Sequence, residues 1–75
     1  MRSMQNNETP PTVGQLIYYH RRKSGLTQEA AAKRIGVSVS MFASWERDER
    51  QINRSCYISR TAHTLGIDPE RLRTK

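Results

Sequence analysis

Few residues of this chain are equipped for covalent chemistry. Cys56 is the single cysteine, and His20 and His63 are the only histidines among the 75 residues. One thiol cannot close an intrachain disulfide. Three Cys and His residues fall short of the roughly four ligands of a structural zinc site. The chain has no Cys–His pairing at a suggestive spacing and no glycine-rich phosphate loop. The expectation is therefore no catalytic residue, no metal, no cofactor and no enzymatic activity. Cys56 reads as a small core or boundary residue. His20 reads as a packed or hydrogen-bonded histidine on an inward helical stripe.

What the chain does carry is positive charge. Lys and Arg number 13 against 7 Asp and Glu, a formal net charge of +6 with a pI near 10.3. Residues 13–50 hold seven basic and four acidic groups, and residues 51–75 hold five and two. The cations cluster as Arg21-Arg22-Lys23 and Lys33-Arg34. An excess of this kind calls for an acidic partner: nucleic acid, an anionic membrane or an acidic protein. Small basic domains are often nucleic-acid binders. No apolar run reaches the ~18–20 residues of a membrane span, and the N-terminus lacks the apolar stretch of a secretory signal. A cytoplasmic protein without a membrane partner is expected.

A second group of residues suits recognition. Ser40, Ala43, Ser44 and Arg47 fall on one face of a helix starting at Val39. A merely solvated face usually carries Glu and Lys; short polar side chains let a helix approach another surface closely.

The elements that must hold this face are legible from local signals. Seventy-five residues make one domain at most, which buries only about 60% of its unfolded surface. Residues 1–12, with Asn6-Asn7 and Pro10-Pro11, read as a disordered N-terminal tail, and 13–75 as the folded domain. Thr12 caps a first helix on which Val13, Leu16, Ile17 and His20 recur, ended by Gly25. Thr27 caps Gln28–Ile35, and Gly36 ends it. Ser38 caps a third helix, Val39 to Arg47, with Phe42 and Trp45 inward. Residues 48–53 read as a loop, with Asn53 a possible cap. Ile58, Ala62 and Leu65 mark a fourth helix, ended by Gly66. Asp68-Pro69 opens a short fifth segment anchored by Leu72. The fold is thus all-α, a compact four- to five-helix domain. Its expected core is Val13, Ile17, Leu26, Ala32, Ile35, Val37, Phe42, Trp45, Ile58, Ala62, Leu65 and Leu72.

Two helices joined by Ile35-Gly36-Val37-Ser38 form a helix-turn-helix pattern. Ala32 is small where the helices cross, Gly36 permits the tight turn, and Val37 plugs the turn into the core. The stretch Gly25-Leu26-Thr27-Gln28-Glu29-Ala30-Ala31-Ala32-Lys33-Arg34-Ile35-Gly36-Val37-Ser38, followed by Phe42-Ala43-Ser44-Trp45-Glu46-Arg47, resembles the lambda-repressor/Cro-like, or xenobiotic-response-element, helix-turn-helix family. Val13-Gly14, Ile17 and Arg21 match its first helix. Ala62, Leu65-Gly66-Ile67 and Leu72 match its fourth and fifth. The resemblance covers about residues 13–72. It departs at Asp48, where the family often has Gly; at His20, where Leu is usual; and by about one extra residue between Glu46 and Ala62.

The resemblance implies a sequence-specific binder of double-stranded DNA, a transcriptional regulator expected to repress as a homodimer on an inverted repeat. Gln28 then resembles the glutamine that contacts phosphate or supports a base-reading side chain. Thr27 faces a phosphate at a helix N-terminus. Ser38 opens the recognition helix. Val39, Ser40 and Ser44 match the outward positions that meet base edges, with Ala43 and Arg47 as secondary contacts. Arg21 and Glu46 resemble a partly buried ion pair with a structural role. Arg22, Lys23, Lys33, Arg34, Arg47 and Arg50 are phosphate candidates. The residue types suit these roles, since Ser donates or accepts and Val can touch a thymine methyl. The alternative is a protein-interaction adaptor or antitoxin-like component, in which another protein holds the same domain.

Overall fold

The computed structural model describes residues 10–73. The expected disordered tail lies almost entirely outside the described residues. Five helices follow in chain order: α1 Val13–Lys23, α2 Gln28–Ile35, α3 Val39–Glu46, α4 Ser55–Leu65 and α5 Pro69–Leu72. Among the described residues there is no strand, and no helix is long and apolar enough to cross a membrane.

The boundaries follow from capping chemistry. Thr12 Oγ1 accepts from Gln15 N while the Gln15 side chain accepts from Thr12 N, a reciprocal capping box. Thr27 and Ser38 accept from Ala30 N and Met41 N at the starts of α2 and α3. Gly36 ends α2 in the left-handed region at φ 91°, where a Cβ is unfavourable. The α4 entry corrects the expectation for Asn53: Arg54 occupies the N-cap position, with no side-chain cap bond. Asp68 caps α5, with Pro69 in its first turn.

The core joins all five helices. Ile17, Ala31, Ala32, Ile35, Phe42, Trp45, Ile58, Ala62, Leu65 and Leu72 are buried together, with Val13, Leu26 and Val37 packed against them. Ile52 and Ile67 complete it from loops, and Leu16 is also buried. Ile52 was expected only as part of a loop; the chain after α3 turns its side chain inward. Cys56 is exposed, not at the core boundary, because it sits in the first turn of α4, where Ile58 is the residue that faces inward. His20 is half-buried and packs edge-on against the Tyr19 ring at 5.2 Å.

Candidate nucleic-acid interface

The third helix is gripped from behind. Phe42 and Trp45 are buried on its inner side, their rings 6.1 Å apart, and Trp45 meets Tyr57 of α4 at 5.8 Å. At its C-terminal end Glu46 accepts from Arg21 Nε at 2.6 Å, from Arg21 Nη2 at 3.4 Å and from Gln28 Nε2 at 2.9 Å. The Arg21 and Glu46 side chains are only 10% and 5% exposed, so this pair is shielded from salt screening. Arg21 Nη1 also donates to the Leu26 carbonyl, just before the α2 cap. One carboxylate thereby joins α1, the N-terminus of α2 and the end of α3.

A second grip lies at the N-terminus of α1. Asp48 adopts φ 59°, a left-handed conformation that Asp tolerates better than most residues. Its carboxylate accepts from Thr12 Oγ1 at 2.7 Å and from Gly14 N at 2.9 Å. A Cβ built at Gly14 would stand 2.6 Å from the Trp45 carbonyl oxygen and 2.7 Å from that of Glu46. Glycine is therefore required where α1 crosses the end of α3.

With its back fixed, α3 turns its N-terminal half to solvent. Val39 is 40% exposed, and Ser38 and Ser40 are exposed beside it. Ala43 is half-buried. Ser44 departs from its expected outward position: the residue is 6% exposed, and its hydroxyl donates to the Met41 carbonyl at 2.6 Å. The cause is the chain after the helix. Glu49 N and Arg50 N both donate to the Ser44 carbonyl, at 2.9 and 3.4 Å, folding residues 48–50 back over it. Ser44 becomes part of the lining of an open groove shared with Ser38, Ser40, Met41, Arg47, Glu49 and Arg50.

The six phosphate candidates, Arg22, Lys23, Lys33, Arg34, Arg47 and Arg50, are all exposed. Arg47 donates to Glu49 at 3.0 Å. That hydrogen bond, reinforced by charge attraction, holds the Glu49 carboxyl below its ordinary pKa and raises Arg47. Glu49 went unnoticed in the sequence, where nothing but its loop position marked it. Gln28 and Thr27 sit at the α2 N-terminus as expected. Gln28 has its amide nitrogen committed to Glu46, and Thr27 spends its hydroxyl as a cap acceptor. Among the described residues no group of His, Cys, Asp and Glu could hold a metal ion.

An exposed α3 face on a buried back, crossed by a short α2 with a left-handed glycine between them, defines a helix-turn-helix protein. Residues 17–55 match the Helix-turn-helix family model. The chain belongs to this family, in its lambda-repressor/Cro-like branch of DNA-binding transcription regulators. No curated protein sequence matches significantly. Among solved structures it is similar to the P22 c2 repressor in complex with a synthetic operator, with 28% identity, 84% of this chain and 94% of that chain covered, and a TM-score of 0.78. It shares its fold with SinR, a master regulator for biofilm formation, in complex with DNA, at 23% identity, 81% and 97% coverage and TM-score 0.73. A SinR/SinI complex is similar at 22% identity and TM-score 0.73, over 85% of this chain and 62% of that one.

Proposed function

We propose that this protein binds double-stranded DNA sequence-specifically and represses transcription, as a homodimer on an inverted repeat. The observation that carries the reading is α3 itself. Its inner side is locked by Phe42, Trp45 and the Glu46 cluster, while Val39 and Ser40 stand in solvent at its N-terminal half. A helix held in this way enters a major groove with those residues leading. Val39 offers an apolar surface to a thymine methyl, and Ser40 a hydroxyl to either kind of base edge. The side chains are short, so the helix must sit deep, at a depth set by phosphate contacts from Arg22, Lys33, Arg47, Arg50 and the α2 N-terminus. The similarity to the operator-bound P22 c2 repressor supports this orientation.

One such domain supplies limited discrimination, and two on a palindrome multiply it. The domain acts by binding, without catalysis, in the cytoplasm.

The test is selection from a random duplex library, followed by titration of the selected duplex and an unrelated one at two salt concentrations. The expected result is a palindromic site, a preference of at least ~10³-fold over unrelated DNA, and affinity that falls steeply with salt. Equal affinity for every duplex would refute sequence specificity. No duplex binding, with salt-insensitive capture of a protein instead, would favour the adaptor reading.

A further inference from the structure

The first helix places an unassigned aromatic, Tyr18, beside Arg22, one of the phosphate contacts proposed above. Tyr18 and Arg22 lie one turn apart on its exposed face. Arg22 Nη1 donates to the Tyr18 hydroxyl oxygen at 2.8 Å. Tyr18 is 46% exposed, a large aromatic left in solvent. The Arg21 and Arg22 guanidinium carbons stand 5.4 and 5.5 Å from its ring centroid, within the range of cation–π attraction. The ring is thus flanked by two cations, and α1 contains no acidic residue.

The chemistry of the pair is directional. A phenol is one donor and an acceptor. Arg22 already occupies the acceptor side, so the Tyr18 O–H hydrogen must point away from the guanidinium. Among the described residues no protein acceptor takes it. Arg22 has no carboxylate partner among them, unlike Arg21, which is spent on Glu46. The phenol proton and the remaining guanidinium N–H groups together make a small cationic set of donors that asks for an anionic oxygen. Its place is also informative. Arg21, packed on the same ring, donates to the Leu26 carbonyl immediately before the Thr27 cap of α2. Arg21 thus links the Tyr18 ring to the backbone that leads into α2.

We infer that Tyr18 and Arg22 form a phosphate-binding site for the DNA backbone, with the phenol O–H and the guanidinium donating to phosphate oxygens. The inference rests on the DNA-binding reading above and adds a contact outside the helix-turn-helix. Tyr18 acts as a neutral donor held in aim by its cationic neighbour. The arrangement fixes the register of the domain on the duplex without reading sequence.

The two members of the pair leave different signatures. Tyr18→Phe keeps the ring and the charge and removes one hydrogen bond to an anion. Arg22→Gln removes a charge. Binding of wild type, Tyr18→Phe, Arg22→Gln and the double variant is measured by fluorescence anisotropy on the library-selected duplex and on an unrelated duplex, across a salt series. Tyr19→Phe, one residue along α1, is the control.

The expected result for Tyr18→Phe is a loss of about three- to tenfold on both duplexes, with an unchanged salt slope and an unchanged melting temperature. Arg22→Gln is expected to weaken both duplexes and flatten the slope by about 0.9. In the Arg22→Gln background Tyr18→Phe should cost less, since the hydroxyl is no longer held in place. Tyr18→Phe indistinguishable from Tyr19→Phe would overturn the site while leaving DNA binding intact. A loss confined to the selected duplex would also overturn it, because a backbone contact is blind to sequence. A wild-type chain that binds no duplex would remove the DNA-binding reading and this site with it.

Discussion

Replacing Gly14 by Ala sets two known effects against each other. In a helix, Ala is favoured over Gly by roughly 0.5–1 kcal/mol, so intrinsic propensity argues for stabilisation. The packing argues the other way. The new methyl would meet the Trp45 carbonyl oxygen at 2.6 Å and the Glu46 carbonyl and Asp48 Oδ1 oxygens at 2.7 Å. Two of these belong to the backbone of α3 and cannot rotate away, so α1 must withdraw by close to an ångström. Overpacking of this kind costs about 1–3 kcal/mol. Withdrawal also lengthens the 2.9 Å bond from Gly14 N to Asp48, and a hydrogen bond to a charged group contributes about 1.5–3 kcal/mol. The repulsive side wins, and Gly14→Ala should destabilise the domain by about 1–3 kcal/mol. For a domain of this size each kcal/mol lowers the Tm by roughly 4–8 °C. Thermal unfolding followed by circular dichroism measures this directly. DNA affinity should also fall, because the displaced contact is the end of α3, the helix proposed to enter the groove. A variant as stable as the wild type would refute the reasoning, showing that the contact yields more easily than propensity rewards.

Four further outcomes are expected. Glu46→Ala leaves the largely buried Arg21 without its counter-charge and should cost about 3–5 kcal/mol in urea unfolding, while a paired Arg21→Met, Glu46→Leu variant should recover much of that loss. Thr61 is fully buried with its hydroxyl unpartnered, so Thr61→Val should raise stability by about 1 kcal/mol, read from the same unfolding curves. Ser40→Ala should reduce preference for its cognate base pair by about 1 kcal/mol, whereas Ser44→Ala, whose hydroxyl proton is already given to Met41, should leave preference unchanged; single-base operator variants separate the two. Finally, the hydrogen bond and charge of Arg47 hold the Glu49 carboxyl below its ordinary pKa. The pairing is present at neutral pH and disappears as pH falls through that lowered value, so Arg47→Gln should move the Glu49 midpoint upward in an NMR titration of its carboxyl carbon.

The parts of the fold legible in the sequence are those governed by neighbours along the chain. Thr12, Thr27 and Ser38 before apolar periodic stretches, and Gly36 and Gly66 after them, mark helix ends by local chemistry, and they lie where expected. The α4 entry was illegible because it uses no side-chain cap, and Asn53 offered a plausible one in its place. Ile52 was hidden because a lone apolar residue in a loop has no periodicity to reveal it. Ser44 shows the limit for the candidate site. Helical spacing assigns a residue to a face, and whether that face is open depends on what folds over it. Here the left-handed turn at Asp48 brings residues 49 and 50 back onto α3. The bonds from Thr12 and Gly14 to Asp48 span 36 and 34 residues, a separation that no local pattern encodes.

The Glu46 cluster also bears on how such a protein can change. The carboxylate and its three donors occupy the end of α3 and the neighbouring helices, and none of them is Val39 or Ser40. The residues that maintain the angle of the helix and those that face outward from it form separate sets. On the proposed reading, a change at position 39 or 40 alters the message without disturbing the mount. New target sequences would then lie within one or two codon changes, and an exchange of those two side chains between relatives should transplant preference while the melting temperature stays almost where it was.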